Sequence, residues 1–427
     1  MIKPISRGAY GRVFLAMKRK TGDLYAVKVL SKADTLRKNQ LANVTAEQAI
    51  LASANNPFVV KLYYSFASKR YLYLVMDFVN GGDLYSLLQS LGRLDEATAR
   101  AYVAELCLAL AYLHDELGVV HRDLKPDNAL IDSAGHIVLT DFGLSHMGVG
   151  DALHGREQRD ASGSASAGGA SSSAGALGPS KLLQVPGAQA AGRMGTPDYM
   201  SPEILLGTGH DARVDWWSLG VVLFELIVGV TPFNAPSAPE VFGNILRGNV
   251  QWPEGAERSF SPEVRDLIGR LLTQDPEQRL GAGGAAEVKA HPFFDGVEWE
   301  SLQRRERSQA PFVPQLDDLY DTSYFKERLR KHQTIEADRE ASADFLLRGE
   351  APVPPRRPSL TTCAGAGGSA GGEVEMPGFA QLRKLQQSFA NDSGSDGGAD
   401  EANGGGVGGS TSCSGSGDGS GGGAAAA

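Results

Sequence analysis

The sequence has few cysteines and no long apolar run. Its three cysteines in 427 residues, Cys107, Cys363 and Cys413, form no CxxC pair, which argues against a disulfide framework or structural zinc and favours a reducing compartment. The most apolar stretch, residues 219–230, is too short to span a bilayer, and the N-terminus has no apolar region of the signal-peptide type. We therefore expect a soluble intracellular protein, in the cytoplasm, the nucleus or both.

An excess of basic residues is also missing. The chain carries 41 lysines and arginines against 50 acidic residues, for a formal charge of −9, and the two signs are mixed along it. Proteins that neutralise a nucleic-acid backbone are strongly basic, so nucleic acid is not an expected partner. A membrane is not an expected partner either, and we expect a monomer.

Two segments have too few large apolar side chains to form a core. Residues 148–192 are rich in serine, alanine and glycine, and the chain is again rich in these residues from position 365 onward. Between them, the sequence APVPPRRP at 351–358 favours an extended, solvated backbone. We therefore expect a disordered insertion at 148–192, an ordered region that ends near residue 346, and a disordered tail at 347–427.

The ordered remainder divides into a strand-rich part and a helical part. Alternation of apolar and polar residues predicts strands near the start of the chain, at 13–16, 24–27, 62–66 and 71–78. A weak helical pattern covers residues 38–53, and a clear one covers residues 96–117 and ends at Gly118. One helix should therefore pack on a small antiparallel sheet, followed by a mainly helical second half.

A glycine-containing segment, Ser-Arg-Gly-Ala-Tyr-Gly-Arg-Val at residues 6–13, lies between two strand-like runs, the second of which is the predicted strand 13–16. Glycine lets a backbone approach phosphate groups closely, although this segment alone also fits a tight hairpin. Further on, Lys28 lies mid-strand among apolar residues and Glu47 lies on the following helix. The two could meet as a buried ion pair, and the alternative is a surface lysine whose stem covers apolar residues.

The densest signal is His-Arg-Asp-Leu-Lys-Pro-Asp-Asn at residues 121–128, followed by Asp-Phe-Gly at 141–143. Phosphoryl transfer from ATP needs oxygen ligands for magnesium, a partner for the acceptor hydroxyl and a positive charge on the migrating group. Side chains of these kinds are Asn128 and Asp141 for the metal, Asp123 for the hydroxyl and Lys125 for the charge. Each residue alone would more often be a turn former or a cap, but their joint spacing favours this chemistry.

These motifs resemble those of the eukaryotic protein kinases, and the resemblance covers residues 2–294 except for the insertion. Further landmarks are GTPDYMSPE at 195–203, DWWSLG at 215–220, and Arg279, which is expected to pair with Glu203. The resemblance implies an α+β, bilobal kinase fold. It would have an antiparallel-sheet N-lobe with one main helix at 1–78 and a helical C-lobe at 79–294, with ATP bound between the lobes.

The sequence also resembles one branch of this family. Leu-Lys-Pro at 124–126 is similar to serine/threonine kinases, which implies protein substrates with serine or threonine acceptors. Residues 291–294, 311–314 and 321–325 resemble the C-terminal tail of AGC-group kinases, here 295–346, which wraps across both lobes. Residues 5–11, 195–199 and 321–325 are most similar to the microtubule-associated serine/threonine, Greatwall and plant incomplete-root-hair-elongation kinases. This implies a role in intracellular signalling, or in cell-cycle or cytoskeletal regulation.

Carried over position by position, the resemblance implies a complete site. The implied catalytic residues are Lys28, Glu47, Asp123, Lys125, Asn128, Asp141 and Thr196, the last as a support for Asp123 and Lys125. The implied nucleotide-binding residues are Ile5, Ser6, Arg7, Gly8, Ala9, Tyr10, Gly11, Val13, Ala26, Lys28, Met76, Asp77, Val79, Asp83 and Leu130. Val13, Ala26 and Leu130 would sandwich adenine, the backbone of 77–79 would bind its edge, and Met76 would be the gatekeeper. Asn128 and Asp141 would hold Mg²⁺, and Leu51, Leu62, His121 and Phe142 match an apolar spine.

Three acidic residues, Asp83, Asp127 and Glu225, match positions that receive arginines upstream of the acceptor in basophilic relatives. The same carboxylates could instead be solvated or cap helices. The acceptor sequence therefore stays open at this point.

The chain departs from the family pattern at several positions. Ser6 replaces the first glycine of the phosphate loop, and Gly192 stands where most AGC kinases have a phosphorylatable residue, so Arg122 lacks its usual phosphate partner. A phosphate on a serine of the insertion such as Ser180, attached by an upstream activating kinase, could replace it. A lobe–lobe or tail contact could also do so, or the insertion could be unregulated.

The C-terminal and N-terminal ends raise further questions. Phe379 to Leu382 is at best a degenerate hydrophobic motif, and Arg-Arg-Pro-Ser at 356–359 resembles a basic-directed phosphorylation site. The chain begins inside the expected first strand, so upstream segments are expected to be missing. The rival function is a pseudokinase or scaffold that binds a partner without phosphate transfer, and a small-molecule kinase is disfavoured by the activation segment and the tail.

Overall fold

A computed structural model describes residues 1–8, 11–38, 40–147, 197–305, 310–325 and 345, without the side chains of 7, 8, 146, 147 and 257. These residues belong to the compact unit Met1–Arg383. The predicted disordered segments, 148–192 and 347–427, lie outside the described residues. Among the described residues, no helix is long and apolar enough to cross a membrane.

The N-terminal part is a five-stranded antiparallel sheet with the strand order β1-β2-β3-β5-β4. Its strands are β1 (Lys3–Gly8), β2 (Gly11–Met17), β3 (Leu24–Ser31), β4 (Leu62–Ala67) and β5 (Tyr71–Asp77). In the central strand, Lys28 pairs with Val13 of β2 on one side and with Leu74 of β5 on the other. The sheet therefore holds Lys28 rigidly in the middle of the lobe.

Two helices, rather than the single predicted one, follow strand β3. The short helix α1 (Lys32–Arg37) begins at Ser31, whose hydroxyl accepts a hydrogen bond from the Asp34 amide at 3.2 Å, and α2 (Leu41–Ser53) follows it. The predicted start of the main helix at residue 38 was therefore wrong by three residues. Six residues are too few to show a clear helical period, which is why the sequence did not indicate α1.

The second part is built around helices that pack on one central helix. The helices are α3 (Leu84–Leu91), α4 (Glu96–Ala111), α5 (Pro202–Leu206), α6 (Arg213–Val228), α7 (Ala238–Arg247), α8 (Ala256–Ser259), α9 (Pro262–Leu271), α10 (Ala285–Lys289) and α11 (Trp299–Gln303). Helix α6 is buried along nearly its whole length because α4 and α9 pack against it. Its sequence is accordingly mostly apolar on all sides, with Asp215 and Glu225 as buried carboxylate exceptions.

The helix predicted over 96–117 is not α-helical throughout. Helix α4 ends at Ala111 and continues as a π-helical turn, Tyr112–Glu116. Gly118 then adopts a left-handed conformation with φ of 62°, which suits glycine because it lacks a Cβ atom. The predicted stop is therefore at the right place, but the last turn has a wider hydrogen-bond pattern than the periodicity indicated.

Two small antiparallel pairs of strands interrupt the helical part. They are β6 (Val119–Val120) with β9 (His146–Met147), and β7 (Ala129–Ile131) with β8 (Ile137–Leu139). Strands of two or three residues carry too little alternation to be predicted from a sequence pattern. They matter because they bracket residues 121–128 and 140–145, where the polar motifs lie.

The sheet buries both of its faces. Phe14, Val27 and Tyr73 point away from helix α2 and are at most 1% exposed. From the tail, Phe345 packs on this outer face, with its ring centroid 5.4 Å from that of Tyr73 and 5.7 Å from that of Phe66. The near-continuous apolar sequence of β5 follows from this burial on two sides.

The described tail residues contact both parts. Tyr324 packs against Gly82, where φ is +86° and an added Cβ atom would lie 2.8 Å from the Cβ atom of Tyr324. The hydroxyl of Tyr320 lies 3.6 Å from the sulfur of Met17 in β2. The tail thus lies along the connection between the sheet and the helices.

Candidate active site

Lys28 is the point where the sheet, helix α2 and the Asp-Phe-Gly segment meet. Its side chain lies on the inner face of β3 and the residue is 7% exposed. The ammonium nitrogen is 2.6 Å from Oε1 of Glu47 and 3.0 Å from Oδ1 of Asp141. The structure therefore shows Lys28 as a buried ion-pair partner and excludes the alternative of a surface lysine.

The electrostatics keep this lysine and the aspartate charged. Burial alone would lower the pKa of Lys28, but the carboxylates of Asp141 and Glu47 raise it above its ordinary value. Burial alone would raise the pKa of Asp141, but the charge of Lys28 and its hydrogen bond hold it below the ordinary value. A fixed cation and a fixed anion thus stand side by side in the cleft.

Asp123 lies at the centre of a second polar cluster. Its two carboxylate oxygens accept hydrogen bonds from the ammonium group of Lys125 at 2.9 and 2.8 Å. The side-chain amide of Asn128 donates to the backbone carbonyl of Asp123 at 2.8 Å and to its carboxylate at 3.0 Å. Burial raises the pKa of Asp123, and the charge of Lys125 opposes this.

A buried carboxylate holds the backbone of this loop. Asp215, at the start of α6, accepts hydrogen bonds from the backbone amides of His121 and Arg122, each at 2.8 Å. It also lies 2.8 Å from Nε2 of His114 and is fully buried. Arg122 adopts φ of 63°, a conformation that is uncommon for a residue with a side chain and needs such support. The sequence identified Asp215 only as the first residue of the DWWSLG motif. It did not predict the hydrogen bonds to the backbone of the loop.

Phe142, which directly follows Asp141, is packed inside the protein. Its ring is fully buried and lies 5.0 Å from the imidazole of His121. Leu51 and Leu62, the other two residues of the implied spine, are buried in the same apolar core. All four side chains are thus packed inside the protein, and the adjoining Asp141 has the unusual φ of 65°.

Asn128 and Asp141 have the right chemistry for magnesium. Both hydrogen bonds of the Asn128 amide nitrogen go to Asp123, and no described residue donates to its Oδ1 or to Oδ2 of Asp141. Oxygen atoms of this kind are the ligands that Mg²⁺ prefers. In the described part of the chain, no group of three or more His, Cys, Asp and Glu side chains could hold a metal ion. A magnesium ion held by few protein ligands and by substrate phosphates fits these residues.

The inner face of the sheet carries a cluster of buried apolar side chains. Ile5, Leu15 and Ala26 are at most 8% exposed and pack together, with Val13 and Phe78 against them. Leu15 was not among the predicted nucleotide-binding residues, although the alternation of β2 places it on the same face as Val13. Phe78 was included only through its backbone, in the range 77–79. Other predicted residues that the structure describes are Met76, which is 6% exposed, Asp77 at the end of β5, Val79, and Leu130 on β7.

The phosphate loop is described in part. Ser6 pairs with Val13, and the β1 and β2 strands close with Gly8 paired to Gly11. Gly11 has φ of +143°, and an added Cβ atom would lie 2.7 Å from the carbonyl oxygen of Val29, so only glycine fits there. The side chain of Arg7, residues Ala9 and Tyr10, and Thr196 lie outside the described residues. Their predicted roles stay predictions.

The charges of the three predicted acidic residues all act on Tyr85. Burial and the charges of Asp127, Glu225 and Asp83 raise the pKa of Tyr85. Asp83 also caps helix α3, because its carboxylate accepts hydrogen bonds from the amide and hydroxyl of Ser86 at 2.8 and 3.0 Å. The capping alternative therefore applies to Asp83, while its predicted contact with nucleotide or substrate stays a prediction.

Glu225 is held by a tyrosine. The hydroxyl of Tyr199 donates to Oε2 of Glu225 at 2.5 Å. The pKa of Glu225 is raised to about 7, chiefly by burial and also by the negative charges of Asp127 and Asp198. The hydrogen bond from Tyr199 opposes this rise. This carboxyl group is therefore partly protonated near neutral pH.

The expected link between Glu203 and Arg279 is present. The guanidinium of Arg279 forms a bidentate pair with Glu203, with nitrogen–oxygen distances of 2.6 and 3.0 Å. Arg279 also stacks over the ring of Trp217 at 5.1 Å and is 1% exposed. This pair anchors the end of the activation segment to the core of the helical part.

Comparisons with known proteins agree with this geometry. The protein kinase domain model matches residues 1–157 and 177–294. The chain is 48% identical over 405 residues to the probable serine/threonine protein kinase IREH1 of Arabidopsis thaliana, covering 92% of this chain and 29% of that protein. It is 40% identical over 404 residues to the serine/threonine-protein kinase cek1 of Schizosaccharomyces pombe, covering 77% of this chain and 30% of that protein.

A third relative is covered over more of its length. The chain is 42% identical over 340 residues to the serine/threonine-protein kinase CBK1 of Pneumocystis carinii, covering 76% of this chain and 66% of that protein. The chain thus spans less than a third of IREH1 and cek1. The predicted fold class and the resemblance to serine/threonine kinases of the AGC group are confirmed by these matches. The chain therefore belongs to the protein kinase family.

Proposed function

We propose that this chain transfers the γ-phosphoryl group of ATP to serine and threonine hydroxyls of protein substrates. The observation that carries the proposal is the meeting of Lys28, Glu47 and Asp141 in the cleft, at 2.6 and 3.0 Å. The cluster of Asp123, Lys125 and Asn128 supplies the remaining groups. Phosphoryl transfer depends mainly on such positioning and on electrostatic stabilisation.

Each side chain has a defined part in this reaction. Lys28, fixed by Glu47, offers its charge to the α- and β-phosphates. Asn128 and Asp141 would hold Mg²⁺, which neutralises the charge of the phosphate groups. Asp123 orients the acceptor hydroxyl and accepts its proton, and Lys125, 2.8 Å from Asp123, offsets the charge on the migrating group.

The acceptor class rests on the loop and on the relatives. Lys125 stands in a Leu-Lys-Pro sequence of the serine/threonine type, and the relatives IREH1 and cek1 carry that activity in their names. The acidic group of Asp83, Asp127 and Glu225 supports a preference for basic residues upstream of the acceptor. We place this activity in intracellular signalling, in the cytoplasm, the nucleus or both.

A peptide library tests the proposal. The full chain is incubated with Mg-ATP and degenerate peptides that contain serine, threonine or tyrosine as the single acceptor. We expect transfer to serine and threonine, a preference for upstream basic residues, and no transfer with the Asp123→Asn variant. Transfer to tyrosine alone would contradict the acceptor class, and ATP binding without any transfer would favour the scaffold function.

A further inference from the structure

Arg305, two residues after the end of helix α11, connects the tail to strand β8. Its Nη1 atom lies 2.7 Å from Oδ2 of Asp132, in the turn between β7 and β8. Its Nη2 atom donates a hydrogen bond to the carbonyl oxygen of Ile137 at 2.5 Å. The guanidinium carbon lies 4.8 Å from the centroid of the Phe58 ring, in the segment between α2 and β4. One side chain of the tail therefore contacts three segments that are far apart in the sequence.

Arg305 occupies this place at a conformational cost. Its backbone φ is 56°, a value that is uncommon for a residue with a side chain and that persists only where other contacts hold it. The side chains of Arg305 and Asp132 are 19% and 22% exposed. Burial lowers the pKa of Arg305, while the charges of Asp132 and Glu105 oppose this, and a guanidinium group stays protonated in proteins. The contacts of a charged, largely buried side chain thus hold the strained backbone.

Strand β8 is bound along the edge that faces away from β7. Its first residue, Ile137, donates its amide hydrogen to Oε2 of Glu105 at 2.6 Å and accepts the bond from Arg305 at 2.5 Å. Its last residue, Leu139, exchanges two backbone hydrogen bonds with the segment 58–60, at 2.8 and 3.0 Å. Arg305 supplies one of these four bonds, and it is the one that comes from the tail.

Strand β8 leads directly into the candidate active site. The amide of Thr140, the next residue, donates to the carbonyl oxygen of Asn128 at 2.9 Å. Asp141 follows with φ of 65°, and its Oδ1 atom lies 3.0 Å from the ammonium nitrogen of Lys28. Because only Thr140 separates β8 from Asp141, a displacement of the strand moves this carboxylate relative to Lys28 and Asn128.

We propose that Arg305 is a positioning residue for phosphoryl transfer, which sets the place of Asp141 by binding the edge of strand β8. All the residues to which we assign a chemical role precede position 295, and the tail acts on one of them from outside. This inference rests on the proposed function and concerns the same site.

Three variants of the full chain separate the charge, the geometry and the general effect of a substitution. Arg305→Met removes the charge and the donors but keeps an unbranched apolar stem that can still cover Phe58. Arg305→Lys keeps the charge but lacks the planar fork that joins Asp132 to the carbonyl of Ile137. Arg304→Met is the matched control, because it makes the same change at a neighbouring side chain that is 61% exposed.

Kinetics with a serine peptide and Mg-ATP give the first readout. We expect Arg305→Met to lower kcat about tenfold and to raise the Mg²⁺ concentration for half-maximal rate about fivefold, because a group that positions a metal ligand is lost. The KM for the peptide should change less than about twofold, since the loss concerns the reacting groups rather than peptide binding. Arg305→Lys should lie between Arg305→Met and the unchanged chain, and Arg304→Met should stay within about twofold of the unchanged chain.

Two kinetic results would overturn the inference. One is an unchanged kcat in Arg305→Met. The other is a lower kcat with an unchanged dependence on Mg²⁺, because such a loss would not act through Asp141.

Hydrogen–deuterium exchange without nucleotide gives a readout that does not need phosphate transfer. Exchange of residues 137–143 should be faster in Arg305→Met than in the unchanged chain and in Arg304→Met, whereas helix α6 should exchange equally in all three. Equal exchange of residues 137–143, or faster exchange of α6 as well, overturns the inference, because the effect would then be absent or general. If Arg305→Met does not fold, Arg305→Lys is judged by the same two criteria. Absence of transfer by the unchanged chain would instead refute the proposed function, and exchange would still decide the role of Arg305.

Discussion

The ammonium nitrogen of Lys28 lies 3.0 Å from Oδ1 of Asp141, although the two residues are 113 positions apart in the sequence. This contact connects the central strand of the sheet to the segment that follows β8. It places the cation expected at the phosphates beside the carboxylate expected at the metal. The sheet and the helical part therefore meet at the groups that the reaction needs.

Loss of the Lys28 charge should destabilise the fold as well as stop the reaction. In Lys28→Met, the buried Glu47 is left without its cation, beside the partly exposed Asp141. Loss of one partner of a buried ion pair typically costs about 3–5 kcal/mol of unfolding free energy. Burial raises the pKa of Glu47, and Lys28 opposes this, so Glu47 should take up a proton in the variant. Urea denaturation of the full chain measures the loss.

A second substitution separates stability from activity. Adding Glu47→Gln to Lys28→Met removes one buried carboxylate and should recover part of the lost unfolding free energy, whereas phosphate transfer should stay absent. An unchanged urea midpoint in Lys28→Met, or transfer by the double variant, would contradict the roles assigned to this pair.

Glu225 should make stability depend on pH. Its pKa is raised from 4.5 to about 7 in the folded protein, chiefly by burial. Between these pH values the folded protein keeps the Glu225 proton, which the unfolded chain has lost. The stability that depends on protonated Glu225 is therefore fully present below pH 4.5 and is lost as the pH rises through 7. Glu225→Gln removes the titration and can still accept the hydrogen bond from Tyr199. The gain in Tm of the variant over the unchanged chain should therefore be larger at pH 8 than at pH 5, by about 4 °C. An equal difference at both pH values would show that Glu225 ionises normally.

Phe345 should stabilise the sheet from its outer face. Truncation in Phe345→Ala removes ring contacts with Phe66 and Tyr73 and should lower Tm by about 2–5 °C. Leu319→Ala is the matched control, because this tail residue is 74% exposed. Thermal unfolding of the two variants side by side checks the difference, and equal Tm values would exclude an anchoring role for Phe345.

Much of the fold could be predicted because its signals are local. Strands β2 to β5 alternate or run apolar over six to eight residues, and the polar motifs at 121–128 and 141–143 are contiguous in the sequence. Side chains that act through their immediate neighbours, such as Asp123 with Lys125 and Asn128, are therefore recognisable from spacing alone.

Contacts between distant segments could not be predicted in this way. Asp215 binds backbone amides 93 and 94 positions earlier, and His210 meets Arg122 across 88 positions. Neither contact leaves a periodic pattern, because each depends on how helices and loops pack. Phe345 was missed for a similar reason: the outer face of the sheet exists only after the strands have paired.

The most direct test of the central claim is phosphate transfer from Mg-ATP by the full chain, compared with the Asp141→Asn variant. Asp34→Asn is the matched control, because it makes the same chemical change at an exposed carboxylate on α1. We predict transfer by the unchanged chain and by Asp34→Asn, and a loss of at least about a hundredfold in Asp141→Asn, since a preorganised charge in the cleft is removed. Transfer by Asp141→Asn at the rate of the unchanged chain would contradict the account.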